Sequence, residues 1–160
     1  MSPRYHHGMC QTKFMRRCLE LAEIAALAGD TAVGALIVRG DDVVGEGIER
    51  TRATLDPSAH AEIEAIRQAC QHLDTLDLRG CSLYSTVEPC VLCGYAIRRT
   101  GIAYVVYGVP AGQAGACTSS YAILADRDLE GWPQVPRITR GVLADECLAA
   151  LRRTKSVTRC

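Results

Sequence analysis

The sequence has no excess of charge of either sign and no long hydrophobic run. Lys and Arg together number 18, and so do Asp and Glu, which gives a formal net charge of zero. Nucleic-acid-binding domains usually carry a basic excess or stripe, so this balance disfavours a nucleic-acid partner, although a neutral total can still contain a local basic patch. The sequence has no run of 18 apolar residues and no signal peptide at its start. We therefore expect a cytoplasmic protein with no membrane partner.

The sequence also has no internal repeat and no linker long enough to separate two domains. Its 160 residues, 48% hydrophobic and 22% charged, are typical of a single globular domain with a substantial core. We assign this domain to residues 12–153. A flexible N-terminal tail, which contains His6-His7, is expected over residues 1–11, and a C-terminal tail over residues 154–160.

Cysteine, by contrast, is abundant. The nine cysteines are an odd number, whereas secreted disulfide scaffolds are usually short chains with paired cysteines. In a reducing compartment, clustered cysteines are more typical of a metal site or of catalysis than of disulfide bonds.

Helical and strand patterns alternate along the chain. Helices are predicted over 12–29, 58–73, 90–100 and 145–153, with a short one near 119–126. Strands are predicted in a hairpin within 31–50, and over 81–87, 103–109 and, at a sheet edge, 136–141. The alternation predicts an α/β fold, a three-layer α/β/α sandwich, in which the hairpin adds an antiparallel pair to an otherwise parallel sheet. In such sheets, ligands bind where strands end and helices begin.

One segment with metal-ligating side chains is "TVEPCVLC", residues 86–93. Cys90 and Cys93 are spaced i, i+3 in the first turn of a predicted helix, so their sulfur atoms share one face. The partial positive charge at a helix N-terminus lowers the pKa of a thiol and favours the thiolate, which is the form that binds a metal. Thiolates suit zinc, as does a neutral imidazole.

A second segment, "SAHAEIEAI" (58–66), supplies a histidine and a carboxylate at another predicted helix start. If His60 is the third ligand, one tetrahedral position is left for water, which is the arrangement of a catalytic zinc site. Glu62, two residues further on, is then placed to exchange protons with that water.

Two other interpretations of the cysteine pair stay open. A lone CxxC also occurs in zinc ribbons, but a structural site needs a fourth ligand, and no other cysteine lies in a second CxxC. A CxxC can also be a thiol redox pair, which would leave His60 and Glu62 without a role. The combination of both segments therefore favours catalytic zinc.

The order H-x-E…P-C-x-x-C is the signature of zinc-dependent base deaminases. Together with "VGALIV", "DPSAHAEIEAIRQAC", "LYSTVEPCVLCGYAI", "VVYG" and "GVLADECLAAL", it makes the chain resemble the cytidine deaminase-like superfamily. Within that superfamily it is most similar to the branch of tRNA adenosine deaminase, guanine deaminase and fungal-type cytosine deaminase. The resemblance implies a five-stranded mixed sheet flanked by helices, one Zn²⁺ per chain and a homodimer.

The resemblance also implies roles for individual residues. Glu62 would be the catalytic proton shuttle, and the backbone N–H groups of Ala61 and Cys90 and the carbonyl near Glu88 would orient the substrate. The Glu88 side chain itself is expected to hold its loop. Further candidate substrate contacts are Val33 and, in a lid over residues 119–133, Tyr121, Asp126, Asp128 and Trp132.

Glu49 is the main departure from the family pattern. Relatives usually have an asparagine eleven residues before the zinc histidine, and its amide offers one donor and one acceptor. An ionised carboxylate only accepts hydrogen bonds, so Glu49 favours a ring edge with N–H groups over the bare acceptor nitrogens of adenine. The alternative is that Glu49 faces solvent or pairs with Arg50 or Arg52.

From these features we expect a zinc-dependent hydrolase that deaminates a small amino-substituted heterocycle, such as guanine, cytosine, an aminopyrimidine or an aminotriazine, and releases ammonia. Pro110 and Ala111 stand where tRNA-acting relatives often have Arg-Asp, and the closing helix lacks their Phe-Phe-Arg cluster. One alternative is a tRNA adenosine-to-inosine deaminase. Another, from a different class, is a non-catalytic zinc-binding subunit of an editing complex.

Overall fold

The computed structural model describes residues 9–128 and 130–155. The predicted exposed pair His6-His7 and most of the predicted C-terminal tail lie outside the described residues. The first helix begins at Met9, three residues before the predicted start of the domain, and the last helix continues to Lys155. In the described part of the chain, no helix is both long enough and apolar enough to cross a membrane.

In residues 9–128 and 130–155, five helices and five strands form the fold. The helices are α1 (Met9–Leu27), α2 (Thr51–Thr54), α3 (Ala61–Leu73), α4 (Val91–Thr100) and α5 (Ala144–Lys155). The strands are β1 (Gly34–Arg39), β2 (Asp42–Ile48), β3 (Cys81–Val87), β4 (Tyr104–Val109) and β5 (Arg137–Arg140). A 3₁₀ turn over Gly112–Ala114 completes the described elements.

The sheet is mixed, with the order β2-β1-β3-β4-β5. β1 pairs antiparallel with both β2 and β3, while β3, β4 and β5 run parallel. The α/β fold, the five strands and the hairpin are thus confirmed. The predicted topology was wrong in one respect, because β1 is antiparallel to β3 as well as to its hairpin partner, so β1 alone opposes the other four strands.

Two hydrophobic clusters pack on opposite faces of the sheet. α3 and α4 cover one face, where the core includes Ile37, Leu83, Ile97, Val105 and Leu124. α1 and α5 cover the other, where the core includes Phe14, Met15, Leu36, Val106 and Cys147. Strand β4 is buried along its whole length. This is the three-layer arrangement that the alternating pattern predicted.

The predicted short helix near 119–126 was wrong. This segment forms turns, whose backbone is tied to the preceding loop by the hydrogen bond from Leu124 N–H to the Ala116 carbonyl. Within α1, Phe14, Met15, Cys18 and Ala22 are buried, whereas Ile24 is exposed.

Glycines in β2 let α3 lie close to the sheet. A Cβ atom at Gly47 would overlap the Ala61 carbonyl and the Ala65 nitrogen, and one at Gly45 would overlap the Ala65 carbonyl. Because these neighbours are backbone atoms of a helix, they cannot move aside separately. The position of the first turn of α3 therefore depends on the absence of side chains at these two positions.

We expect Gly47→Ala to lower the free energy of unfolding by about 1–3 kcal/mol, because overpacking at this contact must displace α3. Urea denaturation of the purified variant measures this change. Val43→Thr, at a more exposed position of the same strand, is the control and should stay within about 0.5 kcal/mol of the parent. Equal unfolding midpoints for Gly47→Ala and the parent would contradict the close approach.

Candidate active site

The predicted metal ligands lie at the starts of two helices on the same face of the sheet. His60 directly precedes α3 and has an extended backbone, with φ −74° and ψ 151°. Cys90 directly precedes α4 in the same way, and Cys93 lies in the first turn of that helix. β3 ends at Val87, directly before the turn that contains Cys90, whereas α2 and a loop lie between β2 and His60. In the fold, these side chains 30 residues apart in sequence converge.

The three ligand atoms have the spacing that tetrahedral zinc requires. The two sulfur atoms are 3.7 Å apart, and His60 Nδ1 is 3.5 Å from Cys90 Sγ and 3.6 Å from Cys93 Sγ. Ligands at about 2.3 Å (sulfur) and 2.0 Å (nitrogen) from a tetrahedral zinc lie about 3.8 Å apart for two sulfurs and about 3.5 Å apart for sulfur and nitrogen. The residues therefore fit the metal, and these three side chains would hold it.

The electrostatics of this cluster favour a thiolate even without metal. Hydrogen bonds with Cys93 and with His60 lower the pKa of Cys90 to about 4, against the opposing effect of burial. The hydrogen bond with Cys90 raises the pKa of His60 to about 9. The bond to Cys90, together with burial, raises the pKa of Cys93 far above its ordinary value. A cation in this position would replace these protons as the partner of the sulfur atoms.

Glu62 lies beside the ligands and is buried, with 4% of its surface exposed. Its Oε1 accepts a hydrogen bond from Ser85 Oγ at 2.8 Å, and its Oε2 is 3.5 Å from Cys93 Sγ. Burial raises the pKa of Glu62 to about 7, although the Ser85 hydrogen bond acts in the opposite direction. A carboxyl with this pKa can both take up and release a proton near neutral pH.

Ser85 was not predicted as a site residue. It lies in β3, fully buried, and its hydroxyl orients Glu62. The signal that could have found it is a hydroxyl side chain near the end of the strand "CSLYSTV", which leads into the metal turn.

Glu49 does not face solvent. It is 9% exposed, and its Oε1 accepts a hydrogen bond from Thr51 Oγ1 at 2.9 Å. Within the described residues it forms no ion pair with Arg50 or Arg52, both of which are exposed. Burial raises the pKa of Glu49, while Thr51, the charge of His60 and the backbone of Ala61 act to lower it. The carboxylate is therefore on the side of the metal cluster.

Two other candidates lie in the same region. Val33 is buried, and its carbonyl accepts the hydrogen bond of the Glu49 N–H at 3.1 Å. Ala61 is the first residue of α3 and is buried next to His60. Their positions are compatible with the predicted substrate contacts, which stay predictions.

Glu88 joins the metal turn to the loop that follows β4. The carboxylate is 2% exposed, and it accepts hydrogen bonds from the backbone N–H groups of Ala111, Cys117 and Thr118 at 2.8–3.0 Å and from the Thr118 hydroxyl. A Cβ atom at Gly115 would overlap this carboxylate. The geometry favours the predicted loop-holding role for this side chain over a contact with substrate.

Asp126 and Trp132 are not brought to the metal cluster. The Asp126 carbonyl accepts a hydrogen bond from Arg98, and its carboxylate accepts the N–H of Asp128. The Trp132 ring packs edge-on against Tyr95, with centroids 5.1 Å apart, and lies 5.8 Å from the Arg98 guanidinium. Arg98, which was not predicted as a functional residue, sets these positions, because its buried side chain binds the carbonyls of Ile123, Asp126 and Pro133 to the last turn of α4.

Comparison with known proteins agrees with this geometry. Residues 9–109 match the model of the cytidine and deoxycytidylate deaminase zinc-binding region. The chain belongs to this family. The family is one of zinc-binding deaminases, which hydrolyse C–N bonds, so the deaminase is a zinc-binding hydrolase, and His60, Cys90 and Cys93 are the cluster that would hold the metal.

Three relatives illustrate the range of the family. The deaminase is 33% identical to the tRNA-specific adenosine deaminase of Aquifex aeolicus over 142 residues, which cover 87% of this chain and 94% of that protein. It superposes, with a TM-score of 0.82 and 32% identity, on a structure from a study of A-to-I editing by tRNA:A34 deaminases, covering 88% of this chain and 99% of the other. The guanine deaminase of Bacillus subtilis is 36% identical with a TM-score of 0.59, over 61% and 63% of the two chains.

We expect His60→Ala, Cys90→Ala and Cys93→Ala each to reduce bound zinc from about one per chain to well below half, because two remaining ligands do not make a stable site. Atomic emission on purified protein measures the metal content. Glu62→Gln should keep its zinc, and so should the control Cys70→Ala, which changes a cysteine outside the cluster. Full zinc content in the three ligand variants would rule out this ligand set.

We expect Glu88→Gln to lower the free energy of unfolding by about 1–3 kcal/mol, because the amide nitrogen would face backbone N–H donors that now bind an oxygen. Urea denaturation provides the measurement. The matched control is Glu64→Gln, which breaks a partly exposed ion pair with Arg67 and should cost less than about 1 kcal/mol. A Glu88 variant as stable as the control would show that the buried carboxylate does not hold the loop.

Proposed function

We propose that the deaminase converts adenosine to inosine in tRNA. The observation that carries this proposal is the similarity to a tRNA-specific adenosine deaminase over nearly the full length of both chains, 87% and 94%. The likeness to a structure from work on tRNA:A34 deaminases supports it independently. From the sequence alone we expected a small amino-heterocycle as the substrate and regarded a nucleic-acid partner as unlikely. The proposal instead adopts the tRNA alternative.

The site supports a hydrolytic mechanism in which Glu62 moves the protons. When bound, zinc supplies Lewis-acid chemistry that activates water at neutral pH. Glu62 takes one proton from the attacking water and delivers it to a ring nitrogen. It then takes the second proton from the hydroxyl group added to the ring carbon and passes it to the departing amine, so that the C–N bond breaks, a carbonyl forms on the ring carbon and ammonia leaves. The Ser85 hydrogen bond orients the carboxylate for these transfers.

The environment of Glu62 disfavours the alternative that the protein is a non-catalytic zinc-binding subunit. A zinc-binding subunit without activity would need no proton shuttle. Burial raises the pKa of Glu62 to about 7, which suits proton transfer near neutral pH and which a purely structural zinc site does not need. A Glu62 held by Ser85 beside Cys93 therefore favours an enzyme.

The net charge of zero is a property of the whole chain and leaves room for a local basic patch near the site. Arg50 and Arg52 are exposed and flank Thr51, whose hydroxyl binds Glu49. Two cations this close in sequence to Glu49 would suit the phosphates on either side of a target nucleotide, and such contacts weaken as salt rises. The predicted homodimer and cytoplasmic location stay predictions.

Glu49 is the observation that favours a second candidate, deamination of a free amino-heterocycle such as guanine. Its buried carboxylate, if ionised, offers only acceptors and would suit a ring edge with N–H groups. If protonated, it offers one donor and one acceptor, as the asparagine amide of relatives does, and would then accept adenine. The family contains enzymes of both kinds.

We expect the zinc-loaded protein to form inosine in an anticodon stem-loop with adenosine at the wobble position, and Glu62→Gln to reduce the rate by about 10²–10⁴-fold, because the proton shuttle is lost. Mass spectrometry of digested RNA detects inosine. The same preparation is tested for ammonia release from guanine, cytosine, isocytosine, aminotriazines and free adenosine.

Three outcomes separate the candidates. Inosine in the stem-loop, with a rate that falls as salt rises, supports the proposal. Turnover of a free base alone establishes the second candidate and refutes the first. Equal rates for the parent and Glu62→Gln on every substrate would refute both mechanisms, provided that both proteins contain zinc.

A further inference from the structure

A buried aspartate organises the segment that carries Glu49 toward the site. Asp30 follows α1 and is 2% exposed. Its two carboxylate oxygens accept hydrogen bonds from the backbone N–H groups of Arg52 at 2.8 Å and Ala53 at 3.1 Å. These bonds fix the first turn of α2, and with it the backbone of Thr51, relative to the end of α1.

The Thr51 hydroxyl lies between two carboxylates. Its Oγ1 is 2.9 Å from Glu49 Oε1 and 3.5 Å from Asp30 Oδ1. A hydroxyl has one hydrogen to donate, and Asp30 already receives two backbone hydrogen bonds. The hydroxyl therefore donates over the shorter distance, to Glu49. The branched Cβ of threonine restricts χ1, so the direction of this donor is well defined.

Apart from Thr51, the Glu49 carboxylate has a hydrogen bond from the backbone of Ala61. The backbone of Glu49 is fixed by the hydrogen bond from its N–H to the Val33 carbonyl, but its side chain has several rotatable bonds. Within the described residues, Thr51 is the one side chain that donates a hydrogen bond to it. The same hydroxyl lies between Glu49 and Asp30, whose negative charge contributes to the raised pKa of Glu49.

We propose that Thr51, anchored through Asp30, is a positioning residue that fixes the Glu49 carboxylate near Ala61 and so sets which ring edge the enzyme accepts. The inference rests on the proposed deaminase function with Glu49 as a substrate contact, but not on whether the substrate is tRNA or a free base. Thr51 acts through Glu49 and touches no reacting atom.

The test compares Thr51→Val, which keeps the shape and removes the donor, with Thr51→Ser, which keeps the donor. Each change is made in the parent and in Glu49→Gln, and kcat and KM are measured on whichever substrate of the panel is turned over. We expect Thr51→Val to raise KM about tenfold with kcat changed less than about threefold, because a hydrogen bond to a charged group is lost away from the reacting carbon. Thr51→Ser should stay within about twofold of the parent.

The control is Thr54→Val in the same helix, which removes a hydroxyl that donates to the Arg50 carbonyl and does not contact Glu49. It should leave KM unchanged. In the Glu49→Gln background, Thr51→Val should have little further effect, since the carboxylate that it positions is gone. An equal effect in both backgrounds, or a parent-like Thr51→Val, would overturn the inference.

Crystal structures of zinc-loaded parent and Thr51→Val give a readout that does not depend on activity. We expect the Glu49 carboxylate to leave its position near Ala61 in the variant, and an unchanged position would overturn the inference. If the stem-loop is inert and a free base is turned over, the tRNA proposal fails while the Thr51 comparison is completed on that base. If no substrate of the panel reacts, the proposed function fails and the crystal structures alone decide the role of Thr51.

Discussion

The convergence of two helix starts on one point is the constraint on which the rest of the site depends. His60 and the pair Cys90 and Cys93 come within 3.7 Å of one another only because α3 and α4 pack side by side on the same sheet face. That packing needs the close approach of α3 to β2, which the glycines of β2 permit. The spacing of the three ligand atoms thus depends on the backbone contacts between α3 and β2.

Buried carboxylates are the second common feature of the site. Glu62, Glu88 and Asp30 are each almost fully buried, and each is satisfied by hydroxyl or backbone N–H donors. Such donors stabilise a buried carboxylate by hydrogen bonds, without a cationic side chain, and hold it in one orientation. The three carboxylates have different roles. Glu62 lies beside the metal ligands, Glu88 fixes the loop after β4, and Asp30 fixes the segment that leads from Glu49 to His60.

Much of the fold could be predicted because its signals are local. The hairpin, the helix over Ala61–Leu73 and the strand Cys81–Val87 follow from periodicity and turn residues within each segment. The predicted helix near 119–126 was wrong because the conformation of this segment depends on residues distant in sequence, such as Arg98, whose side chain binds its carbonyl groups. The direction of β1 relative to β3 is likewise a matter of pairing between strands, on which the pattern within a strand has no bearing.

The sequence by itself determined the prediction of the ligand set and of the proton shuttle. His60, Glu62, Cys90 and Cys93 are recognisable because their chemistry depends on residue type and on short spacings at helix starts, which are local properties of the chain. Only the tertiary structure decided which groups act on them. Ser85 reaches Glu62 from 23 residues away, and Asp30 reaches the N–H of Arg52 from 22 residues away. Contacts over such separations arise when strands and helices pack, and no local pattern of residues specifies them.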